Sequence, residues 1–277
     1  MRRSVADHKN PNLGNWSKWG RTRSNTTFFT EALRTMRDYN TGDGAFAIGL
    51  IGSCDLPGIC LRRAQSVLRL DQRPSYWSHA FIITEAWDGK SPVGRLPIAE
   101  VPFFARNGQF PEPADNAVIR STTLGHYLDR ELDPNVALFA VANLDGERLQ
   151  PLGSAERKIL AAAIADPNQD RNRYDFWTEL GVWQQYFWSG EQLPNPTRAG
   201  QPIPASSLIA MVYEQIGVDL TPAASERNSA PEHFWTSMRW WLQRDVQALR
   251  GVDGAVVAGC YAIRDQGAAV LRDHNTR

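Results

Sequence analysis

The hydrophobic positions of this chain follow a strand-like spacing in some segments and a helical spacing in others. This pattern indicates a mixture of strands and helices. Strands are predicted where short apolar runs or period-two alternation occur, at 45–51, 79–84, 96–101, 136–142 and 254–263. In the second of these strands, His79 lies on the same side as Phe81 and Ile83 because side chains alternate along a strand. A turn at Asp88, Gly89 and Lys90 then predicts that the second and third strands form a hairpin.

Helical periodicity appears between these strands. Helices are predicted at 27–38, 59–70, 154–165, 205–216 and 231–249. The second helix is expected to carry a basic face made of Arg62, Arg63 and Arg69. The helix that begins at Ala205 has its apolar residues on one face and is followed by Gly217, where a glycine commonly ends a helix.

The order of these elements predicts an α+β fold with a small, mostly antiparallel sheet packed against helices. Residues 1–26 are polar and are expected to form an N-terminal arm, and residues 27–277 a single domain. Four prolines between 192 and 204 predict a loop directly before the helix at Ala205.

Composition and charge exclude several classes of protein. The 277 residues are 42% hydrophobic, and 30 basic residues balance 30 acidic ones, so neither global disorder nor nucleic-acid binding is expected. Three cysteines do not make a disulfide scaffold. The N-terminus lacks the apolar run of a signal peptide, and no segment has the length of a membrane span. We therefore expect a protein made in the cytoplasm, with signal-independent export left open.

His79 and Glu100 are the most informative polar pair. A histidine at the start of a strand and a carboxylate on the adjacent strand can form the base and the orienting group of a nucleophilic triad. The alternative is a half-buried histidine beside an exposed glutamate. The helix that begins at Ala205 offers the free N–H groups that stabilise an anion or a thiolate.

Five motifs in this order carry a resemblance to a known family. They are Gly42-Asp43-Gly44-Ala45-Phe46-Ala47, Tyr76-Trp77-Ser78-His79-Ala80-Phe81, Ile98-Ala99-Glu100-Val101, Tyr174-Asp175-Phe176, and Ala205-Ser206-Ser207-Leu208-Ile209 with the later Ala230-Pro231-Glu232-His233-Phe234. The chain thereby resembles the circularly permuted NlpC-type papain-like hydrolases, a group that includes YiiX-like amidases and the lecithin:retinol acyltransferase relatives. The resemblance spans about residues 40–235.

The resemblance implies a permuted papain-like fold and a Cys-His-Glu triad that cleaves an amide or an ester without a cofactor or a metal. His79 and Glu100 match the family's histidine and acid, but Ala205 occupies the position of its nucleophilic cysteine. Alanine cannot attack a carbonyl, so the chain as written is expected to be inactive. Either the cysteine was replaced to silence the enzyme, which the retained His79 and Glu100 favour, or the chain is a naturally inactive binding module.

Other residues are weaker candidates for the nucleophile. Ser206 and Ser207 at the start of a helix are more typical of caps. Cys60 precedes His79 by only 19 residues, too few for a papain-like arrangement, and Cys54 with Cys60 lacks the ligand spacing of a zinc site. Cys60 and Cys260 are expected to be core residues.

Ten tryptophans are the unusual feature of the composition, and many lie near the helix at Ala205 in sequence. They indicate either core packing or an apolar groove beside the site. A groove favours a lipid ester as substrate over a peptidoglycan-type peptide, although the family contains enzymes of both kinds. A secreted antibacterial effector would add an immunity protein as partner. A structural or interaction protein, with position 205 sealed in the core, is the third class left open.

Overall fold

A computed structural model describes residues 24–101, 120–145, 148–165, 205–222, 224, 229–242 and 254–265 of the chain. The helices in this part are α1 (Asn25–Asp38), α2 (Leu56–Ala64), α3 (Ser154–Ile164), α4 (Ala205–Glu214) and α5 (Pro231–Leu242). The strands are β1 (Ile48–Gly52), β2 (His79–Ile83), β3 (Pro97–Glu100), β4 (Arg120–Thr123), β5 (Asn135–Asp145), β6 (Arg148–Pro151) and β7 (Gly254–Ala262). Short 3₁₀ turns add Ser66–Leu68, Val93–Arg95 and Leu124–Tyr127.

The seven described strands form one sheet in which every described pairing is antiparallel. Its order is β4-β3-β2-β1-β5-β6, with β7 paired to β5. The register sets Ile51 opposite His79 and Ile82 opposite Ala99. The α+β class expected from the sequence is therefore confirmed.

Separate apolar clusters cover the two faces of the sheet. On the face that we call the α4 face, Leu50, Ala80 and Ile82 pack against Leu208 and other residues of α4 and α5. The opposite face, which we call the α1 face, is built differently: its strand residues pack against α1 and the 3₁₀ turn at Leu124–Tyr127. Those strand residues include Ile51, Phe81, Ile83, Ile98 and Leu138. The sheet is thus buried on both sides, which is why its central strands read as apolar runs rather than as alternating ones.

Local signals explain where the helices begin and end. Ser24 accepts a hydrogen bond from the Thr27 N–H as the N-cap of α1, and Asp55 caps α2 through the Gly58 N–H. Beyond the end of α4, Gly217 has a φ of +75°, a left-handed conformation that favours glycine.

All five predicted strands and all five predicted helices have a counterpart among the described elements, with shifted ends. The first helix begins at Asn25 rather than at residue 27, because Ser24 provides the cap. The sequence did not predict β4 or β6, two four-residue strands. Three predicted segments lie outside the described residues. They are the loop at 192–204, the N-terminal arm apart from its last residues, and the end of the helix predicted to reach residue 249.

The basic face expected for the second helix is wrong at Arg62. This guanidinium is fully buried and donates to the backbone carbonyls of Ser75 and Ser53, at 2.8 and 3.3 Å. It also pairs with Asp265 at 2.7 Å, just after β7. The carbonyls and the carboxylate replace water at Nε and Nη1 of the guanidinium, while Nη2 is buried without a hydrogen-bond partner. Arg62 therefore joins α2 to the chain beyond β7.

Gly49 allows close packing in the centre of the sheet. It lies opposite Phe81 in the register, and an ideal Cβ at Gly49 would stand 2.0 Å from the Cζ atom of that ring. We expect Gly49→Ala to lower the free energy of unfolding by about 1–3 kcal/mol, because the ring has to move within a packed core. Urea unfolding measures the change.

The double variant Gly49→Ala/Phe81→Leu is the control, because a smaller side chain makes room for the added methyl group. We expect the alanine to cost less in that background than in the original chain. An equal cost in both backgrounds would contradict the steric explanation.

Candidate functional site

A buried histidine–glutamate pair lies at one end of β2 and β3. His79 is the first residue of β2 and Glu100 the last residue of β3, and both are 4% exposed. The register pairs Ile82 with Ala99, and extending it by one residue sets Phe81 opposite Glu100. His79 lies two residues before Phe81, so His79 and Glu100 are diagonal neighbours on one face of the sheet. The His79 Nε2 atom is 2.7 Å from Oε2 of Glu100. The alternative in which Glu100 is exposed is therefore wrong.

Two further side chains complete the surroundings of the carboxylate. The Tyr127 hydroxyl donates to Oε2 of Glu100 in a short hydrogen bond, and Thr122 Oγ1 donates to Oε1 at 2.9 Å. The Tyr127 ring also stacks against the His79 ring, with centroids 5.6 Å apart. Sequence reasoning missed both residues, since Thr122 lies on the unpredicted strand β4 and Tyr127 in a 3₁₀ turn.

These contacts decide the charge of Glu100. Burial alone raises the pKa of a carboxyl group, but the hydrogen bonds from His79, Tyr127 and Thr122 and the charge of His79 lower it. The net result is a pKa of Glu100 below its ordinary value of 4.5. Glu100 is therefore an ionised acceptor at neutral pH.

The ionised carboxylate also sets the tautomer of His79. A carboxylate only accepts hydrogen bonds, so whenever the ring carries a single proton, that proton lies on Nε2. No residue in the described part of the chain hydrogen-bonds to Nδ1. The arrangement leaves Nδ1 as the basic atom of an imidazole whose other nitrogen is held, which is the geometry of a general base with its orienting acid.

The first turn of α4 lies toward the same end of the sheet. Near the C-terminus of α4, the Tyr213 hydroxyl donates a hydrogen bond to the Phe46 carbonyl. The Phe46 N–H in turn donates to the carbonyl of Ile83, at the far end of β2. Because α4 packs along β2 and is about 15 Å long, its start points toward the His79 end of the strand.

Hydrogen bonds through α5 agree with this placement. Ser206 Oγ donates to the Ser229 carbonyl at 2.6 Å, and Ser229 lies just before α5. Within α5, the Glu232 N–H donates to Gln65 Oε1, and Gln65 Nε2 donates to the Trp77 carbonyl, two residues before His79. The start of α4 and the start of β2 are therefore linked through one short network.

The described residues nevertheless place the imidazole and α4 on different faces. His79 stacks on Tyr127, which belongs to the α1 face, whereas Leu208 and Ile209 pack on the α4 face. The side chain of Ala205 lies outside the described side chains. The structure thus brings His79 and Glu100 together, and contact between position 205 and His79 stays a prediction.

The other nucleophile candidates have surroundings that do not activate them. The Ser206 and Ser207 hydroxyls both donate to the Ser229 carbonyl, at 2.6 and 3.3 Å. Burial and the charges of nearby aspartates raise the pKa of the Cys54 thiol, and burial raises that of Cys260. Cys60 is half-buried rather than a core residue, whereas Cys260 is fully buried in β7 as expected. These pKa shifts favour the neutral thiol, which is a poor nucleophile.

Neither a metal centre nor a membrane span emerges from the described ranges. In these ranges, no three His, Cys, Asp or Glu side chains are grouped closely enough to hold a metal ion. Likewise, none of the helices described has both the length and the apolar composition to cross a bilayer. The Tyr174-Asp175-Phe176 motif and the tryptophans at 177, 183 and 188 lie outside the described residues.

The tryptophans that the structure does describe divide into two groups. Trp77, Trp87 and Trp235 are buried, as the core-packing interpretation expects. Trp240 is 46% exposed, and Trp241 is half-buried. Their rings meet edge to face with centroids 4.9 Å apart, so an aromatic surface remains at the end of α5.

Comparison with protein-family models, with curated proteins and with solved structures finds no match for this chain. The relationship to permuted papain-like hydrolases therefore rests on the residues named above.

We expect Glu100→Gln to destabilise the protein by about 2 kcal/mol at pH 7, because charge-assisted hydrogen bonds to a buried group are lost. Since the pKa of Glu100 is lower in the folded state, its contribution is present above pH 4.5 and is lost as the pH falls through the folded-state value. The difference between the original chain and the variant should therefore shrink on acidification.

Urea unfolding of both proteins between pH 7 and pH 3 measures this difference. Asp88→Asn is the comparison for an exposed carboxylate: hydrogen bonds from Ser91 and Lys90 lower the pKa of Asp88 to about 2, so its difference should also shrink on acidification. A difference for Glu100→Gln that stays constant with pH would show that the carboxylate charge is not what stabilises the site.

Proposed function

We propose that this chain has the framework of a thiol-type hydrolase or acyltransferase that cleaves an amide or ester bond, with its nucleophile position occupied by Ala205. The observation that carries the proposal is the buried pair in which Glu100 holds His79 Nε2 at 2.7 Å. An imidazole that is held at one nitrogen, and that has no hydrogen bond from the described residues at the other, is typical of a general base. Burying this carboxylate has a desolvation cost, and structural roles are more often filled by apolar groups.

In the proposed mechanism, a thiolate at position 205 attacks the carbonyl carbon of the substrate. His79 takes the thiol proton at Nδ1 and then donates it to the leaving nitrogen or oxygen as the bond from that atom to the carbonyl carbon breaks, which leaves a thioester. Water deprotonated by His79, or an acceptor hydroxyl in an acyltransferase, then attacks the thioester, and the thiol is released. Glu100 keeps the ring in the required tautomer and stabilises the imidazolium that forms. Backbone N–H groups in the first turn of α4 would stabilise the oxyanion, since they have no intrahelical acceptors.

The alanine itself favours a second candidate function, a binding module that uses the same framework without turnover. The methyl group of Ala205 supplies no nucleophile, and the described residues of α4 and His79 lie on different faces of the sheet. In a binding module, the His79–Glu100 pair would recognise a ligand rather than move a proton. Restoring a thiol separates the two functions.

We expect Ala205→Cys to gain a thiol that reacts with an iodoacetamide probe at neutral pH far faster than the native cysteines do. The reason is that the helix N-terminus and, in the proposed arrangement, the His79 imidazole stabilise the thiolate. The same variant should hydrolyse either phospholipid vesicles or muropeptides. Mass spectrometry of the labelled peptide and chromatography of the products provide the readouts.

The control is Ala205→Cys/His79→Ala, which should lower turnover by about 10²- to 10⁴-fold. The unsubstituted chain gives the background labelling of Cys54, Cys60 and Cys260. Labelling and turnover that do not depend on His79 would remove the basis of the hydrolase, and binding without turnover would favour the binding module.

A further inference from the structure

A cavity of about 690 Å³ lies beside α5, on the side of the molecule that carries α4. One wall is formed by α5 and the others by Leu68 and by the segment that follows α4. The volume is within the range of about 300–1,000 Å³ that is typical of small-molecule sites. Nothing in the proposed catalytic steps uses this space.

The walls of the cavity are chiefly apolar. Its apolar side chains are those of Leu68, Pro222, Trp240 and Trp241, and the two indole rings meet at 90°. Trp240 is 46% exposed, which is unusual for so large an apolar side chain. An apolar cavity with exposed aromatic walls fits a ligand that has a substantial hydrocarbon part.

The charge of the lining limits the polar part of that ligand. Asp219 is the acidic group of the wall, and it also accepts a hydrogen bond from the Thr221 N–H at 2.9 Å. No arginine or lysine lines the described wall. His233 also lines the cavity, and its Nδ1 atom accepts a hydrogen bond from the Ala230 N–H at 3.1 Å, so that nitrogen carries no proton. An anionic head group would therefore meet the charge of Asp219 without an arginine or a lysine to offset it, whereas a neutral ester or amide would not.

Hydrogen bonds connect the cavity to the start of α4. Thr221 lines the cavity and shares a hydrogen bond of 2.7 Å with the Ser229 hydroxyl. The carbonyl of the same Ser229 accepts the hydrogen bond from Ser206, in the first turn of α4. The cavity is thus two hydrogen bonds away from the helix start at which the proposed nucleophile position lies.

From these observations we infer that the cavity binds the acyl chain of a neutral ester or amide and that lipids are the substrate class of the proposed hydrolase. Binding of the acyl chain does not depend on the proposed function. The assignment of lipids as the substrate class does rest on it. A chain seated between Leu68 and the tryptophans would have its carbonyl end toward Thr221 and the first turn of α4. A muropeptide, which is polar and charged, would gain little from these walls.

The test uses the chain with Ala205 in place, so it measures binding without turnover. Nile red, a neutral apolar dye, reports on the cavity through its fluorescence, and monodecanoylglycerol and decanoate compete with it. We expect the neutral ester to displace the dye at a concentration about tenfold lower than the carboxylate does. Asp219→Asn should reduce that preference, since it removes the like charge while an amide oxygen can still accept from Thr221.

Ser237→Phe fills the cavity from α5, and we expect it to weaken displacement by the ester at least about tenfold. Ala161→Phe, at an exposed position of α3, is the matched control and should leave binding unchanged. Circular dichroism checks that both variants fold. Equal binding in both variants, or no displacement by the ester, would overturn the inference.

The outcome is separable from that of the proposed function. If Ala205→Cys hydrolyses muropeptides while the ester fails to bind, the hydrolase stands and the lipid inference falls. If the ester binds in a way that Ser237→Phe abolishes while Ala205→Cys has no activity, the cavity is an acyl site and the hydrolase falls.

Discussion

Burial of the Glu100 carboxylate imposes a requirement that several distant parts of the chain meet together. A charge removed from water is stable only when its hydrogen-bonding capacity is filled. Here β2 contributes His79, β4 contributes Thr122, and the 3₁₀ turn contributes Tyr127. The order of the strands follows from this need as much as from apolar packing, because β3 must lie between β2 and β4 to receive donors from both.

The sequence was sufficient for those features that depend on local periodicity. A short apolar run located β2, the turn after it located the hairpin with β3, and from these came the expectation that His79 and Glu100 lie on adjacent strands. The proline-rich segment and the apolar stripe likewise predicted a helix that starts at Ala205, as the structure has it. In each case neighbouring residues carry the information, so a pattern can be recognised without knowledge of the tertiary structure.

The features that the sequence did not reveal depend on residues far apart in the chain. Arg62 has the pattern of a solvated charge, yet its acceptors come from Ser53, Ser75 and Asp265, the last 203 residues away. Tyr127 has no periodicity that marks it as a partner of Glu100, 27 residues earlier. Local patterns also do not say which face of the sheet a helix will cover, and this is the point on which the relation between α4 and His79 depends.

The central claim is that Glu100 fixes His79 with its proton on Nε2, so that Nδ1 serves as the base for a nucleophile at the start of α4. Nitrogen-15 NMR of the His79 ring measures this directly in the original chain and in Ala205→Cys. We expect a protonated Nε2 and a bare Nδ1 in the singly protonated ring of the original chain, and protonation of Nδ1 when the thiol is introduced. A proton on Nδ1 of that singly protonated ring, or a ring that does not respond to the thiol, would contradict the claim.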